Sequence, residues 1–553
     1  MKILIENVES FLNKEIVLEG WLKNKRDHGN LLFLELRDST GYVQLVIDNP
    51  TNEDKIPLES VLRVKGKVTK RANENINEKE TLGHLEIEVS LLNVLSYSAN
   101  LPFLPEDALN VNEDLCLKYR YLTLRNEEML KRLKFRAEFI DKIREFMKNN
   151  EFLEVQTPIL TVSSPEGARD FIVPSRLHKG KFYALPQAPQ IFKQLLMVGG
   201  INKYFQIAPC FRDEDARKDR CYGEFYQLDF EVSFVEKDDA IIDILTNLMK
   251  YVLEFFGKKP IFSVMTYEES MDKYGTDKPN LNNELFLEDF TKVFANSQMD
   301  LFRKKIENGE IVKGVRVHGL EKAACDKVLA FTETKGFKTA YVTKINGEIK
   351  GPIGKFVSND ICQENETIFF VLNEKNQARK NAGLIIKYFE KKENENFHIV
   401  FVKDFPFFEW NAEENKWEFT HNPFSMPKTE NLKEENIYAY QYDMVLNGYE
   451  LASGSVRNYK PNLLIEAFKK CGYLEEDVKK KFCSLINAFQ YGVPPHAGAA
   501  IGIDRLIMIL LNAKNTREVI AFPLNTNGVC PMMNAPSEID EKLLKDLNII
   551  LKK

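Results

Sequence analysis

The stretch Cys210–Phe225, CFRDEDARKDRCYGEF, holds an arginine, three acids in a row, several more cations and a closing Phe. A charge run by itself is usually a solvated loop. The flanks argue otherwise, because Gln227-Leu228-Asp229-Phe230-Glu231 follows at once. Far downstream, Gly502-Ile503-Asp504-Arg505 precedes an apolar helical pattern, which alone is more often a structural turn. Asp443 and Glu450 stand seven residues apart in YDMVLNGYE. Two carboxylates with phosphate oxygens and waters make a magnesium site, although that spacing fits surface acids equally well.

These groups are set in a long chain. Its 553 residues exceed one hydrophobic core, so three or four units are expected. Apolar content of 44% and charged content of 29% are those of a soluble globular protein. No apolar run reaches membrane-spanning length, and the opening MKILIE is not followed by the apolar core of a signal peptide. The eight cysteines form no CxxC pair or zinc-type cluster, which favours free thiols in a reducing cytoplasm. With a net charge of −6, a nucleic-acid partner would have to be met by local basic patches.

Residues 1–100 read as a small β-barrel of the OB type. Strand patterns recur at Ile16–Leu22, Leu31–Leu36, Tyr42–Ile47, Val61–Val68 and Leu85–Val94, divided by turn signals. Cations at Lys23, Lys25 and Arg26 precede Phe33. Such a pairing serves single-stranded nucleic acid, by phosphate neutralisation and base stacking. Alternation alone leaves Phe33 equally well in the barrel core. Residues 101–115 form a Pro-containing polar connector. A helical pattern from Glu127 to Asn150 carries a broad stripe (Leu133, Phe135, Phe139, Ile140, Ile143, Met147), wide enough for a subunit interface as well as a core. It gives way to the strand Phe152–Pro158. From about 282 to 395 the text turns Lys/Glu/Asn-rich, with patterns of its own at Leu320–Thr334, Thr339–Ile345, Thr367–Leu372 and Gln377–Glu390. This predicts an inserted α+β domain. The core then spans 116–281 and 396–553.

Three segments in order, Phe152–Pro158 after its helix, Cys210–Glu231 and Gly498–Leu506, resemble motifs 1, 2 and 3 of the class II aminoacyl-tRNA synthetases. SPEGARD (164–170), FYALPQAPQIFKQ (182–194), YGTDKP (274–279), NGYE (447–450) and YGVPPHAG (491–498) narrow the resemblance to the bacterial type of aspartyl-tRNA synthetase, over essentially the whole chain. The resemblance implies an α+β multidomain fold: an N-terminal OB anticodon-binding barrel, an antiparallel-sheet catalytic core that dimerises through motif 1, and an inserted GAD domain. It implies two steps. L-aspartate and ATP, with Mg2+, give aspartyl-adenylate and pyrophosphate; the aspartyl group then passes to the terminal ribose of tRNA(Asp).

The first step joins two anions, so fixed positive charge and positioning must carry it. By resemblance Arg212 bridges the substrate carboxylate and the α-phosphate, and Arg505 holds the γ-phosphate. Asp213, Glu214, Phe225, Glu450, Gly502, Ile503 and Asp504 complete the ATP site, with Phe225 stacked on adenine. Asp443 and Glu450 hold the metal. Lys193 and Arg457 face the side-chain carboxylate, Glu166, Gln190 and Asp229 the ammonium, and His421 closes over the carboxylate. Arg26, His28, Phe33 and Gln44 match the positions that meet the anticodon.

The chain departs from the usual bacterial pattern in four places. Its motif 2 loop, DRCYGEF (219–225), is one residue longer and has Cys221 where Gln is usual. Ala452-Ser453 replaces two glycines, Asn422 a second histidine and Ala188 a serine. His28 stands where strictly discriminating enzymes tend to have leucine. This resembles the non-discriminating form, which also charges tRNA(Asn) and implies an Asp-tRNA(Asn) amidotransferase in the same cell. Rival readings are a strictly discriminating enzyme, a non-catalytic synthetase-like binding protein, and an asparagine or lysine enzyme. Retention of Arg212, Arg505 and Glu450 argues against the binding protein. The long insertion argues against the asparagine enzyme, and the Lys193/Arg457 pair would repel a cationic substrate.

Overall fold

A computed structural model describes residues 3–163, 167–390 and 396–551. The chain divides into two compact units. The first comprises residues 1–134 with 521–525 and 529–536; the second holds the rest.

In the first unit, Glu15–Asp27, Leu31–Arg37, Tyr42–Asp48, Val61–Lys70 and Leu85–Ser96 close a barrel. Numbered β1 to β5 in chain order, they run β1-β2-β3-β5-β4 around it. Alternation drives the closure: Leu32, Leu34 and Leu36 point inward and are fully buried. Phe33 lies between them on the outer face, half-buried. The segment after the barrel contains a 3-10 turn, Pro105–Asn110, and the short helix Glu113–Lys118. Phe103, Ala108, Cys116 and Leu122 give it a small apolar cluster. Buried Glu59 anchors this unit, accepting from Arg37 Nη2 at 2.7 Å and Arg125 Nη1 at 2.9 Å.

The second unit is built on an eight-stranded sheet. Its order is Pro260–Thr266, Phe397–Lys403, Gln441–Leu446, Tyr449–Val456, His496–Gly502, Gly223–Ser233, Lys203–Arg212, Leu153–Glu154. The central strands are antiparallel, while each edge strand joins its neighbour in parallel. The sheet is therefore mixed rather than purely antiparallel. Phe139, Ile143 and Met147 of the helix Glu127–Asn149 share one apolar core with the helices Asp239–Phe255 and Ile503–Leu510. Leu133, Phe135 and Ile140 of the predicted stripe are only half-buried.

Between Tyr274 and Phe397 lies a five-stranded antiparallel sheet, order Leu287–Asp289, Ile311–His318, Glu366–Asn373, Ala340–Ile345, Glu348–Lys350. It carries separate apolar clusters. The helices Lys322–Thr334 and Lys375–Tyr388 fall where the apolar periodicity predicts them.

Candidate active site

A cleft of about 780 Å³ opens over the middle of the large sheet. Its floor comes from alternation. Asp229 and Glu231 are two residues apart on Gly223–Ser233 and so share a face, opposite the helix Gln190–Val198, which contributes Lys193. The strand Tyr449–Val456 delivers Arg457 just past its end.

These four groups form a buried network. Lys193 Nζ lies 2.8 Å from Asp229 Oδ2 and 3.3 Å from Glu231 Oε2. Arg457 donates to Glu231 through Nε (2.7 Å) and Nη2 (3.0 Å), to Ser455 Oγ (2.8 Å) and to the Gly498 carbonyl (3.1 Å). Each is at most 2% exposed. Two cations cancel two carboxylates, as burial requires. Arg457 and Lys193 hold the Glu231 carboxyl below its usual range despite burial. Asp229 is pushed up, because desolvation outweighs the pull of Lys193. Gly498 makes the network possible: a Cβ there would stand 2.2 Å from Glu231 Oε2.

Counting donors shows what the floor leaves open. An arginine has five N–H groups and a lysine three. Arg457 commits four to the bonds above, and Lys193 points two at Asp229 and Glu231. Among the described residues, each cation keeps one donor. Asp229 Oδ1 is buried and has no hydrogen-bond partner among the described residues. The floor thus offers two N–H donors and one carboxylate acceptor.

A second chain supports the helix bearing Lys193. Gln190 donates to Gln194 Oε1 (3.1 Å), and Gln194 Nε2 meets His496 Nε2 at 3.0 Å. His496 Nδ1 lies 2.8 Å from the Pro494 carbonyl. With Nδ1 donating there, Nε2 accepts from Gln194, and burial keeps the ring neutral by lowering its pKa.

The motif 2 hairpin forms the cleft wall. Gly223 pairs with Arg212 and Phe225 with Cys210. Arg212 stacks its guanidinium 5.0 Å from the Phe225 ring centre, and its Nε donates to the Gln187 carbonyl at 3.3 Å. Within the loop Glu214 pairs with Arg220, and Asp219 of the loop pairs with Arg505 Nη2 of the helix Ile503–Leu510 at 3.1 Å. Arg505 also donates to the Glu450 carbonyl. Cys221 is buried, bonded to the Thr516 hydroxyl at 3.2 Å, and its thiol is pushed up to about 11 by burial, which makes it inert.

Several expected nucleotide groups are engaged elsewhere. Asp213 accepts from the Tyr222 hydroxyl at 2.9 Å, and Glu214 is spent on Arg220. Ile503 is fully buried in the apolar core. Asp504 gives one oxygen to Arg136 and the other to the Tyr226 N–H at 3.1 Å, so its carboxylate ties the helix to the sheet. Gly502, Arg505 and Glu450 line the cleft, and Asp504 does so while tied to Arg136 and Tyr226. Glu166 lies outside the described residues.

Asn447 and Gly448 both have positive φ, 51° and 80°, which suits the tight hairpin joining Gln441–Leu446 to Tyr449–Val456. The hairpin turns a seven-residue separation into proximity. Lys278 Nζ reaches both acids, 3.3 Å from Glu450 and 4.0 Å from Asp443, and Asp277 at 2.5 Å. Asp443 is fully buried and, among the described residues, neither oxygen has a hydrogen-bond partner. Burial and then Glu450 push its carboxyl well above the usual range, against Lys278. Ligand atoms of Asp277, His421 and Asp443 lie within 4.8 Å of one another. Desolvation within the cleft, and then the Lys278 charge, hold the His421 ring below its usual pKa. These acids suit a hard divalent cation, with Lys278 as the charge that neutralises them meanwhile. Asp443→Asn is therefore expected to raise substrate-free stability by about 1 kcal/mol while lowering activity. Urea unfolding checks it; a loss of stability would mean that the Lys278 pair outweighs the burial of Asp443.

On the barrel, Arg26, Phe33 and Gln44 lie on adjacent strands β1, β2 and β3. Arg26 pairs with Glu35 at 3.1 Å, and Gln44 donates to Glu86 at 3.1 Å. His28, exposed, packs edge-on to Phe33 at 5.4 Å.

Glu231, Gln194, His496 and Lys278 are site residues that sequence reasoning passed over. All four lie within or beside the quoted motifs. A buried-type pattern bearing a charge, as in QLDFEVSF, was the available signal for Glu231.

A family model described as tRNA synthetases class II (D, K and N) matches residues 112–526, and an OB-fold nucleic acid binding domain matches 16–95. The aspartate–tRNA(Asp/Asn) ligase of Rickettsia felis is 43% identical over 579 residues, covering 98% of this chain and 96% of the relative. That of Pelagibacter ubique is 44% identical over 575 residues, with the same coverage. A solved Leishmania major structure titled as a putative aspartyl-tRNA synthetase superposes with a TM-score of 0.62 at 19% identity, covering 95% of this chain and 93% of that one. Asparaginyl-tRNA synthetase from Pyrococcus horikoshii gives 0.61 at 20% identity, covering 95% and 98%. No helix among the described residues is long and apolar enough to cross a membrane. The motif order, the sheet that carries it and near full-length identity agree: the chain belongs to the class II tRNA synthetases of the D, K and N group.

Proposed function

We propose that this protein is a cytoplasmic aspartate–tRNA ligase that charges tRNA(Asp) and tRNA(Asn) through aspartyl-adenylate. The donor count on the cleft floor carries the substrate choice. Two free N–H groups on two cations meet the two oxygens of an aspartate side chain. Asparagine would turn an NH2 toward them and leave donors facing donors, a mismatch worth several kcal/mol. Asp229 Oδ1, with Gln190 and Glu166, receives the substrate ammonium, and His421 closes over the carboxylate.

ATP lies along the wall, its adenine on Phe225 and its phosphates between Arg212 and Arg505. The aspartate α-carboxylate is ionised at neutral pH, so it attacks the α-phosphorus without a general base, and pyrophosphate leaves. Arg212 neutralises both reacting anions. Mg2+ held by Asp443 and Glu450 would screen the phosphate charge when bound. A hydroxyl of the tRNA terminal ribose then attacks the aspartyl carbonyl, and AMP leaves.

The barrel of residues 1–100 is the anticodon-binding domain on this reading, residues 101–115 its connector, and 282–395 the inserted domain. Phe33 provides the stacking face, with Arg26 and Gln44 beside it. The half-buried stripe of Glu127–Asn149 serves a homodimer. The relaxed tRNA choice rests on His28, whose polar ring beside Phe33 suits either third anticodon base, and on the similarity to aspartate–tRNA(Asp/Asn) ligases. An Asp-tRNA(Asn) amidotransferase would then complete the product. Aspartylation of the two transcripts, with Arg212→Ala as blank, tests the proposal. Charging of both is expected, and His28→Leu should lose tRNA(Asn) by about tenfold or more while keeping tRNA(Asp). Charging of tRNA(Asp) alone would retire the relaxed reading; charging of neither would retire the function.

A further inference from the structure

Among the described residues, the inserted domain sends one side chain to the cleft. Lys387 sits in the last turn of the helix Lys375–Tyr388 and lines the cleft with Tyr449, Glu450 and Arg505. The helix that bears it is fixed to the core. Arg379, fully buried, donates through Nε to Asp272 (2.8 Å) and through Nη2 to Glu268 (2.9 Å) on the core helix Tyr267–Tyr274. One turn on, backbone meets backbone: a methyl at Gly383 would stand 2.6 Å from the Gly275 carbonyl and 2.8 Å from that of Tyr274. This helix is a wall of the site rather than a free appendage.

The charges separate Lys387 from most cations of the cleft. Lys193, Arg220, Lys278, Arg457 and Arg505 each pair with a carboxylate. Lys387 makes no ion pair among the described residues. Glu390, three residues on, feels its charge, but burial pushes that carboxyl toward its neutral form. The exposed carbonyls of a helix C-terminus repel anions, so the ammonium alone makes this wall attractive to one. Tyr449 lies within electrostatic reach of Asp219, Glu390 and Arg505, and it lines the same cleft as Lys387 and Arg505. An anion in this cleft can meet both a fork, Arg505, and a point charge, Lys387, the pairing that a polyphosphate chain accepts.

We propose that Lys387 binds the distal phosphates of ATP, and pyrophosphate in the reverse reaction, so that the inserted domain completes the polyphosphate site. This rests on the aspartate-activation reading above. Aspartate-dependent ATP–pyrophosphate exchange by the full-length protein tests it, comparing Lys387→Met and Lys387→Arg. The Met variant is expected to raise KM for ATP and for pyrophosphate about tenfold, with KM for aspartate and for tRNA moved by less than about twofold. The Arg variant should recover most of the loss. Unchanged KM for ATP, or a shift confined to tRNA, would overturn the assignment, the latter pointing to tRNA phosphates instead. If the wild type shows no exchange with aspartate, the functional reading fails. Calorimetric titration with ATP and with pyrophosphate then still decides Lys387: equal affinity in wild type and Met variant would overturn the proposal.

Discussion

Replacing Arg457 with methionine is expected to cut aspartate-dependent pyrophosphate exchange about a thousandfold and to lower stability together with it. The two losses share a cause. Arg457 is 2% exposed and gives Glu231 two of its hydrogen bonds. Without it, Glu231 keeps only Lys193, and a buried carboxylate loses its main counter-charge, which costs about 3–5 kcal/mol of stability. The substrate carboxylate loses one of the two donors proposed for it, and truncating one partner of a buried charge pair costs about 2–5 kcal/mol of binding. Asparagine should then be discriminated less sharply. Exchange kinetics with both amino acids and urea unfolding measure the two effects. Wild-type stability with normal aspartate use would show that the network on the cleft floor is not the specificity element.

Arg212→Ala is expected to behave differently. Arg212 has no acid partner among the described residues, only the Phe225 face and the Gln187 carbonyl. Removing it forfeits a cation–π contact worth about 0.5–1 kcal/mol, so the fold should hold. Activity should fall by about 10²–10³ or more, because a preorganised donor aimed at developing charge is lost. The decrease should lie in kcat for adenylate formation more than in KM for aspartate. A variant that unfolds, or one that only raises KM, would refute the role of Arg212 as a transition-state charge. A stability-linked loss at Arg457 and a stability-neutral loss at Arg212 would together separate the floor that recognises from the wall that reacts.

How much of this was legible beforehand depends on how far apart the partners are along the chain. The barrel strands were readable because burial on one face imposes a period of two, local to each strand. That same period left Phe33 undecided, since an aromatic fits either face. Only closure of the barrel, which sent Leu32 and Leu34 inward, put Phe33 outside. The inserted helices were visible as apolar periodicity, but nothing in that pattern connects Lys387 with a cleft built from other segments. Glu231 and Arg457 are 226 residues apart, and no local rule joins them.

Local pattern along the chain was enough for the family, the order of the motifs, the run of the strands and the residue types at the site. Those follow from local periodicity and from residue types at fixed spacing. Tertiary structure alone decided which charges cancel and which remain available. It spent Asp504 on Arg136 and the Tyr226 N–H, drew Ile503 into the core and placed Lys278 between Asp443 and Glu450. It also left one donor each on Lys193 and Arg457. The reason is physical: a charge is satisfied or left free according to distance and burial, and both are set by which strands become neighbours.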